Sequence, residues 1–442
     1  MSSIQNQNPR LINLFTAICM VVANMIGTGV FTSLGFQSVE IKSGFALLFL
    51  WLVGGIFALC GALCYGELGA AMPRSGGEFH YLSQTYHPML GFISGWVSIT
   101  VGFAAPIAAA AIAFGQYFSR VFPVATPMAI APLVVIIISL IHANNLKLGS
   151  YFQSSLTVLK VLLIVVLIGC GLFIAEPQNI QFLPSWKDVQ LIASSPFAIS
   201  LVYVTYAYSG WNASVYIASE VKEPEKNVPR SLWAGTLLVM VLYLLLNFIF
   251  LYSTPLDELA GKLEVGYLAA NRIFGVQGGE MMSLLISFGL LSSISSMVWA
   301  GPRVTQVIGE DIPLFKRLAK RNSSGIPYYA ILLQLSIVLV LVLTSTFEAV
   351  ITYLGFTLTL SSFLTVLGVF VHRLKFPDAP RPYKTWGYPV TPLIFLAISL
   401  WMLIYILFGK PVESIAGLAT IALGLPVYFI ACKNQLASSS SK

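Results

Sequence analysis

The chain has 442 residues, of which 57% are hydrophobic and only 9% are charged. A soluble domain carries about 25% charged residues, so this composition excludes a soluble protein, whose surface would need more polar side chains. The net charge of +7 does not indicate a nucleic-acid-binding face, because the basic residues gather in the connections between apolar segments. These segments are long and unbroken, which predicts membrane-spanning helices rather than a β-barrel.

Twelve apolar segments follow one another along the chain, each long enough for a helix to cross a bilayer, which takes roughly 17–25 residues. The predicted spans are 11–37, 43–71, 88–119, 126–143, 150–175, 192–218, 230–252, 281–305, 327–345, 349–371, 388–408 and 413–432. No separate soluble domain fits between them. We therefore predict an all-α polytopic membrane protein that forms one domain over residues 1–442.

The distribution of Lys and Arg predicts the orientation of these spans. With the N-terminus in the cytoplasm, 17 basic residues fall inside and 6 outside, and Lys160 is set apart. Cytoplasmic connections carry the excess of basic residues in membrane proteins. We expect both termini in the cytoplasm and a multi-pass protein of the plasma (inner) membrane.

Lys160 lies in the middle of the fifth apolar segment, within LTVLKVLLIVVLIG. An ammonium group at that depth costs upward of about 3 kcal/mol and is a functional candidate by default. The alternative is a lysine that extends to the interface along its aliphatic stem. Lys160 lies about ten residues, or about 15 Å, into its helix, which is too deep for that reading.

Small residues interrupt the first and sixth segments near their middles. The interruptions are MIGTGVF, from Met25 to Phe31, and YAYSGWN, from Tyr206 to Asn212. Glycines also serve as points of tight helix packing, which is the plainer interpretation. Paired interruptions at corresponding places in two halves of a chain are, however, the best sequence indication of a transporter site.

An unwound stretch at mid-membrane frees backbone groups that need polar partners. Beyond Gly27, Thr28 and Gly29, the second half-helix presents N–H donors and a positive dipole end, which suit a carboxylate. The carbonyl groups freed between Ala207 and Gly210 suit an ammonium group. Together the two breaks match the groups that all amino acids share.

At these residues the chain resembles the amino acid–polyamine–organocation superfamily, and within it the L-type amino acid transporters. The resemblance covers nearly the whole chain and rests on the order and spacing of several motifs. They are IGTGVF (26–31), YGELG (65–69), PRSGGE (73–78) with YL (81–82), YAYSGWN (206–212), EVKEPEKNVPR (220–230), RPYK (381–384) and WGYP (386–389).

The resemblance implies an inverted five-plus-five repeat with alternating access and broken first and sixth helices. The first repeat would cover 11–175, the second 192–371, and two extra helices 388–432. It also implies a prokaryotic member of the family. Heteromeric animal members use a Cys between the third and fourth spans to bond a single-pass partner. The corresponding loop, Arg120 to Thr126, has no Cys, so we expect no disulfide-linked heavy chain.

The resemblance also assigns candidate site residues. Those expected to contact substrate are Ile26, Gly27, Thr28, Gly29, Tyr206, Ala207, Tyr208, Ser209, Gly210 and Trp211. Lys160 resembles a built-in replacement for a sodium ion, which would bridge the first and eighth spans. Its candidate hydroxyl partners are Ser292, Ser293, Ser295 and Ser296, and the sequence does not say which of them faces it.

The acidic residues narrow the substrate. None of the 17 Asp and Glu falls at mid-membrane by the predicted spans, which favours neutral amino acids. The resemblance of Lys160 to a fixed replacement for sodium implies sodium-independent exchange. Glu67 is interpreted as a helix-end residue in a gate network. A cationic or polyamine substrate, or proton coupling, is the alternative within this class. Aromatic residues that could form a cage around a distal cation are Phe103, Tyr203, Tyr206, Tyr208 and Trp211.

Other classes of protein fit less well. A membrane enzyme would need a catalytic constellation at depth, and the four His lie near predicted helix ends, so neither a metal site nor a carboxylate pair can be assembled. A channel would show charged rings or repeated filter loops. A membrane amino-acid sensor that binds without transport stays open, because fold does not fix function. We expect no enzyme activity, cofactor or metal.

Overall fold

The computed structural model describes residues 12–144, 147–322 and 325–439, and their side chains except at 144–156 and 432–439. Within these ranges every regular element is helical, and the extended pairing is limited to a single bridge between Ile12 and Val221. The predicted first residue of the first span, residue 11, lies outside the described residues.

The helices fall in the following order along the chain. They are α1 (Leu14–Met25), α2 (Gly29–Glu40), α3 (Gly44–Ala71), α4 (Glu78–Thr85), α5 (Pro88–Val97), α6 (Ala104–Val121), α7 (Pro127–Asn144), α8 (Lys147–Ile174), α9 (Trp186–Ile192), α10 (Ser195–Tyr208), α11 (Pro224–Ser253), α12 (Leu256–Leu259), α13 (Val265–Asp311), α14 (Tyr328–Thr344), α15 (Phe347–Lys375), α16 (Val390–Gly409) and α17 (Pro411–Ser439). A π-helical turn (Ser98–Gly102) joins α5 to α6, and a 3₁₀ segment (Ala213–Glu220) follows α10.

The predicted all-α polytopic fold is confirmed. Nine helical stretches of the described chain are long and apolar enough to cross a membrane, and the bent pair formed by α9 and the stretch Ser195–Glu220 makes a tenth. Two shorter apolar helices lie at Pro127–Ala143 and Tyr328–Thr344. Together they match the twelve predicted segments one to one.

Polar caps begin several of the spans at the ends of the bundle. The side chain of Asn13 accepts a hydrogen bond of 2.9 Å from the backbone N–H of Thr16 at the start of α1. Ser43 does the same for α3, through the N–H of Ala46. These caps satisfy the donors that the first turn of a helix leaves unpaired.

Both predicted interruptions are breaks in the helices. The first span ends as α1 at Met25 and resumes as α2 at Gly29. The sixth ends as α10 at Tyr208, and Gly210 has φ +95°, a left-handed conformation that favours glycine. The half-helices α2 and α10 pack against each other, and α1 packs against α11, so the two breaks face each other inside the bundle.

The structure departs from the predicted segments at three places. The third span is interrupted by the π-helical turn at Ser98–Gly102. The eighth span belongs to the longer α13, which kinks at Gly275, where φ is +78°. The connection between the second and third predicted spans, residues 72–87, contains the short helix α4, whose first residue, Glu78, is buried.

Candidate functional site

The two breaks lie in direct backbone contact. A Cβ atom on Gly29 would overlap the Cα atom of Ala207, and one on Gly210 would lie 2.8 Å from the carbonyl carbon of Asn24. Only residues without a side chain fit at these two crossing points. The glycines of both motifs therefore hold the two unwound stretches against each other.

The hydroxyl group of Thr28, at the start of α2, faces α10. Its Oγ1 lies 2.6 Å from the hydroxyl oxygen of Tyr206. Thr28 makes no side-chain cap to its own helix, so the first N–H groups of α2 keep their capacity to bind an acceptor. Both side chains are buried.

Lys160 meets the first break from α8. Its Nζ donates hydrogen bonds to the carbonyl oxygen of Ile26 (2.8 Å) and to Oγ of Ser293 on α13 (2.7 Å). Ser293 donates in turn to the same Ile26 carbonyl (3.0 Å). Lys160 is only 6% exposed. This arrangement connects α8, the broken first span and α13 through one buried ammonium group.

Ser293 is thus the member of the serine cluster that contacts Lys160. Ser295 lies 2.8 Å from Nε2 of His142 instead. Ser296 donates to the carbonyl of Ser293, one turn back in its own helix. Ser292 is fully buried in α13.

Tyr243 on α11 joins the two breaks and was not predicted from the sequence. Its hydroxyl oxygen lies 2.6 Å from the carbonyl oxygen of Met25 and 3.1 Å from that of Ala207. The two carbonyls are those freed where α1 and α10 lose their helical pattern. A tyrosine in the middle of an apolar segment, whose hydroxyl group needs a partner, is the one signal for it in the sequence.

A small cavity lies between the breaks. Its volume of about 10 Å³ holds roughly one water molecule, so the site is closed around itself in this conformation. It is lined by Asn24, Met25, Gly27, Thr28, Gly29, Pro106, Ala110, Tyr206, Ala207, Ser209, Ser293 and Met297. Sequence reasoning missed Asn24, Pro106, Ala110 and Met297, which no motif marks.

Tyr208, Gly210 and Trp211 do not line this cavity. The Tyr208 hydroxyl group donates to the carbonyl of Trp51 (3.2 Å) in the core behind α10. Trp211 packs edge-on against Tyr65, with ring centroids 4.7 Å apart. Ile26 does not line this cavity either, but its carbonyl oxygen accepts from Lys160 and Ser293.

At the end of the bundle where α1 begins, here called the N-side, polar contacts close the site. The backbone N–H of Ser75 donates to Oγ of Ser219 (2.9 Å), and the N–H of Ser219 donates to Oγ of Ser75 (3.1 Å). Arg74 pairs with Asp311 at 2.7 Å. These four residues, which we call the N-side gate, fasten the loop before α4 to the 3₁₀ segment and to the end of α13.

Two further contacts support the N-side gate. Arg303 of α13 pairs with Glu220 at 3.1 Å, and its guanidinium group lies over the ring of Trp299. The backbone N–H of Ile12 donates to the carbonyl of Glu220 (3.0 Å). The chain before α1 is therefore attached to the end of the 3₁₀ segment.

Aromatic rings close the opposite side. Phe36 of α2 stacks on Tyr203 of α10 and on Phe347 of α15, with centroids 5.5 and 5.9 Å apart. Above them the Tyr203 hydroxyl group and Lys410 both donate to Oε1 of Glu348, at 2.9 and 3.0 Å. The cavity is thus sealed at both ends of the bundle.

Glu67 belongs to a buried network near the N-side. Arg373 donates to both of its carboxylate oxygens at 2.7 Å, and the backbone N–H and hydroxyl group of Thr385 donate to Oε2 at 2.7 and 2.8 Å. Arg373 also stacks 3.7 Å above the ring of Tyr388. These contacts join α3, α15 and the connection to α16, and none of them reaches the cavity.

Among the described residues, no group of three or more His, Cys, Asp or Glu is arranged to hold a metal ion. The polar groups at the breaks are hydroxyls, carbonyls, backbone N–H groups and one ammonium group. Such a set can bind a small zwitterion.

Discontinuous helices that meet at a buried polar cavity define this chain as a multi-pass membrane protein of the secondary-transporter type. The comparisons give the family. The chain belongs to the amino acid permease family, whose model matches residues 12–432.

Relatives of known kind match almost the whole chain. The large neutral amino acids transporter small subunit 2 of Mus musculus is 29% identical over 440 residues, which cover 95% of this chain and 80% of the relative. The b(0,+)-type amino acid transporter 1 of Mus musculus is 27% identical over 430 residues, covering 95% and 87%. The serine/threonine exchanger SteT of Bacillus subtilis (strain 168) is 28% identical over 424 residues, covering 95% and 96%.

Proposed function

We propose that this permease exchanges neutral L-amino acids across the membrane without sodium, by alternating access. The observation that carries the proposal is the position of Lys160, whose ammonium group binds the Ile26 carbonyl at the first break and Ser293 at the eighth span. A fixed cation there supplies the positive charge that a bound sodium ion would otherwise supply to the same oxygens. Exchange is also the activity in the name of the relative SteT.

The backbone at the two breaks is proposed to bind the groups common to all amino acids. The N–H groups that begin α2, at Thr28 and Gly29, would receive the α-carboxylate, because they are unpaired and lie at the positive end of a helix dipole. Carbonyl oxygens around Ala207 and Ser209 would receive the α-ammonium group. Ile26, Gly27, Tyr206, Tyr208, Gly210 and Trp211 complete the proposed substrate-binding set, and Tyr208 and Trp211 would act from behind the break.

The lining of the cavity supports a small neutral side chain in the substrate. Pro106 and Ala110 of α6 and Met297 of α13 face the breaks, and they offer no charge to a distal ammonium, guanidinium or carboxylate group. A distal charge buried there would lack a partner, which costs several kcal/mol. The names of two relatives, for large neutral amino acids and for serine and threonine, point to the same chemical class.

Alternating access requires that the two seals open in turn. In the present conformation the cavity holds about one water molecule, and the Thr28–Tyr206 contact occupies the position proposed for the carboxylate. Substrate entry would therefore separate α2 from α10. We propose that the halves 11–175 and 192–371 form the inverted repeats that rock against each other, with 388–432 as two extra helices.

We also propose the setting in which the protein acts. The excess of basic residues on the N-side favours a cytoplasmic location for both termini, in a plasma (inner) membrane. The loop from Arg120 to Thr126 has no Cys, so a disulfide-linked heavy chain is not expected, although one relative is named a small subunit. The relatives are named as transporters and exchangers, which supports a role without catalysis of a covalent reaction.

Direct binding tests the substrate class. Labelled serine or alanine is added to the purified protein in a sodium-free buffer and competed with unlabelled neutral, cationic and acidic amino acids. The proposal predicts binding that neutral L-amino acids displace and that added sodium leaves unchanged. Binding that requires sodium, or that lysine displaces best, would contradict it.

A further inference from the structure

Glu78, the first residue of α4, is a buried carboxyl group that the proposed transport cycle does not use. Its Oε1 accepts three hydrogen bonds, from the side-chain amide of Asn212 (2.7 Å) and from the hydroxyl groups of Tyr65 (3.0 Å) and Tyr216 (3.1 Å). Its Oε2 is buried without a hydrogen-bond partner. One oxygen of Glu78 thus accepts hydrogen bonds from α3, from the unwound stretch after α10 and from the 3₁₀ segment, while its second oxygen lacks a partner.

No cation forms an ion pair with Glu78 among the described residues. On the elements that pack near α4, the titratable and charged groups are Cys60, Cys64, Tyr65, Glu67, Arg74, His80, Tyr81, Tyr86, Tyr216, Glu220, Arg303, Asp311, Glu348, Tyr353, His372, Arg373 and Lys375. Lys375 of α15 donates to the backbone carbonyl of Thr85, the last residue of α4 (3.1 Å). Arg74 pairs with Asp311, Arg303 with Glu220, and Arg373 with Glu67. Burial and the nearby Arg74 lower the pKa of His80 to about 4, so its imidazole is neutral at physiological pH.

Glu78 is connected to the second break through its partners. Asn212 follows Gly210 and Trp211 in the unwound stretch, and its amide also donates to the hydroxyl oxygen of Tyr216 (2.8 Å) in the 3₁₀ segment. The residue before Glu78, Gly77, has φ +52°, and a Cβ atom there would overlap the ring of Tyr216. The start of α4 therefore packs against the unwound stretch and the 3₁₀ segment. These two segments must move when the N-side gate opens.

We propose that Glu78 is a proton-binding latch of the N-side gate, which takes up a proton when the gate closes over it and releases that proton when the gate opens to water. In the closed gate the carboxyl group is dry and has no counter-ion. In the open gate Asn212 and Tyr216 move away with the 3₁₀ segment, and water hydrates the ionised form. This inference does not depend on which substrate is carried.

The direction of the pH effect follows from the burial. Desolvation raises the pKa of the Glu78 carboxyl group above its usual range, and the hydrogen bonds from its own backbone N–H and from Tyr216, Tyr65 and Asn212 only partly offset this. The closed gate therefore binds more protons than the open one. Its extra stability is fully present below the pKa of the hydrated group, about 4.3, and is lost as the pH rises through the closed-state pKa. Acid on the N-side closes the gate.

A cysteine reporter measures this opening without any substrate. Ala218, in the 3₁₀ segment, is fully buried behind the gate. Ala218→Cys is introduced into a background from which the five native cysteines have been replaced by alanine. The protein is placed in nanodiscs and labelled with a membrane-impermeant maleimide from about pH 5 to about pH 8, above the ordinary carboxyl pKa of about 4.3. The same reporter in Glu78→Gln provides the reference, because the intrinsic pH dependence of the thiol cancels in the ratio of the two rates.

Glutamine keeps an oxygen that accepts from Tyr65, Asn212 and Tyr216 but cannot titrate. We expect the ratio of labelling rates, with Glu78 over Glu78→Gln, to rise with pH by up to about tenfold per unit, the limit for one proton. A ratio that is flat across the range overturns the proposal. Glu176→Gln, at an exposed position just beyond the end of α8, is the matched control and should leave the rise intact; loss of the rise in this control would also overturn the assignment to Glu78.

A second variant covers the case in which Glu78→Gln does not fold. Glu78→Asp retains a titratable group with a shorter reach, so labelling should be faster at every pH and should still rise with pH after correction by a model thiol. A pH-independent corrected rate in Glu78→Asp contradicts the latch. No amino acid is present in these labelling assays. A failure to detect exchange would therefore contradict the proposed function but would not affect the measured pH dependence of labelling.

Discussion

The ammonium group of Lys160 lies 2.8 Å from the carbonyl oxygen of Ile26, at the point where the first span loses its helical pattern. The lysine belongs to α8 and the carbonyl to the end of α1, so one hydrogen bond holds the break to a continuous helix. Ser293 bonds to both groups and extends the connection to α13. If α1 moves relative to α8 or α13, these hydrogen bonds must either break or move together with both helices.

Lys160→Ala removes the donor from this junction. The Ile26 carbonyl then loses a charged partner in a buried place, and an unsatisfied polar group of this kind costs about 1–3 kcal/mol. We expect exchange to fall by about tenfold or more, while the affinity for substrate changes much less, because the proposed carboxylate and ammonium contacts lie at Thr28 and Ala207. Proteoliposome exchange and equilibrium binding are measured on the same preparation.

Lys187→Ala is the control for that measurement, since Lys187 is exposed on α9 and should leave both quantities unchanged. Equal turnover in Lys160→Ala and in the unmodified protein would show that the buried ammonium group has no role in coupling.

The contact between the two breaks depends on the absence of a side chain at Gly29. Gly29→Ala places a Cβ atom on the backbone of Ala207, and neither backbone has a flexible end that can yield. The breaks must separate, so we expect loss of binding and a lower melting temperature. Gly169→Ala on α8 is the matched change, because a Cβ there meets nothing within 4 Å; a similar loss in both variants would contradict the role of the close approach.

Met297 limits the size of the substrate side chain in the proposed site. Met297→Ala removes a long side chain from the lining beside Pro106 and Ala110, which enlarges the space for the substrate by several methylene groups. At about 0.8 kcal/mol per buried methylene, leucine should gain about tenfold or more relative to alanine in competition assays. Met281→Ala, 65% exposed on the same helix, should keep the original ratio. An unchanged ratio in Met297→Ala would remove Met297 from the pocket.

Glu67 is predicted to act on stability rather than on transport chemistry. Glu67→Gln leaves the Arg373 guanidinium group without its carboxylate in a largely buried place, and removing one partner of such a pair costs about 3 kcal/mol or more. The melting temperature in detergent should fall clearly. Glu223→Gln disrupts the exposed pair with Lys226 and should have no measurable effect, since such pairs contribute little. A stable Glu67→Gln would show that the network is dispensable.

Local features of the sequence predicted the twelve spans, the two breaks and the depth of Lys160. Each depends on what neighbouring residues do to one stretch of helix: apolar length, glycine at a break, or a charge far from either end. Such features can be recognised in the sequence without any knowledge of how the helices pack. The close approach of Gly29 to Ala207 is the point at which two separately predicted breaks proved to be one site.

The face that each helix turns toward its neighbours could not be predicted in the same way. Spans that are apolar on all sides give no periodic signal of which face meets which neighbour, so Ser293 could not be chosen from four serines, and Tyr243 and Met297 were missed. Glu78 falls between two predicted spans, and its neighbours are glycines and polar residues, so the sequence gives no sign that it is buried. Its burial comes from contacts with Asn212 and Tyr216, more than a hundred residues further along the chain.

Counterflow in proteoliposomes tests the central claim most directly. The vesicles are loaded with unlabelled alanine or serine, and entry of the labelled amino acid is followed without sodium and without a pH gradient. The account predicts rapid entry that depends on the internal load and disappears in empty vesicles. Entry that is absent until sodium, protons or a cationic substrate is supplied would contradict sodium-independent exchange of neutral amino acids through this site.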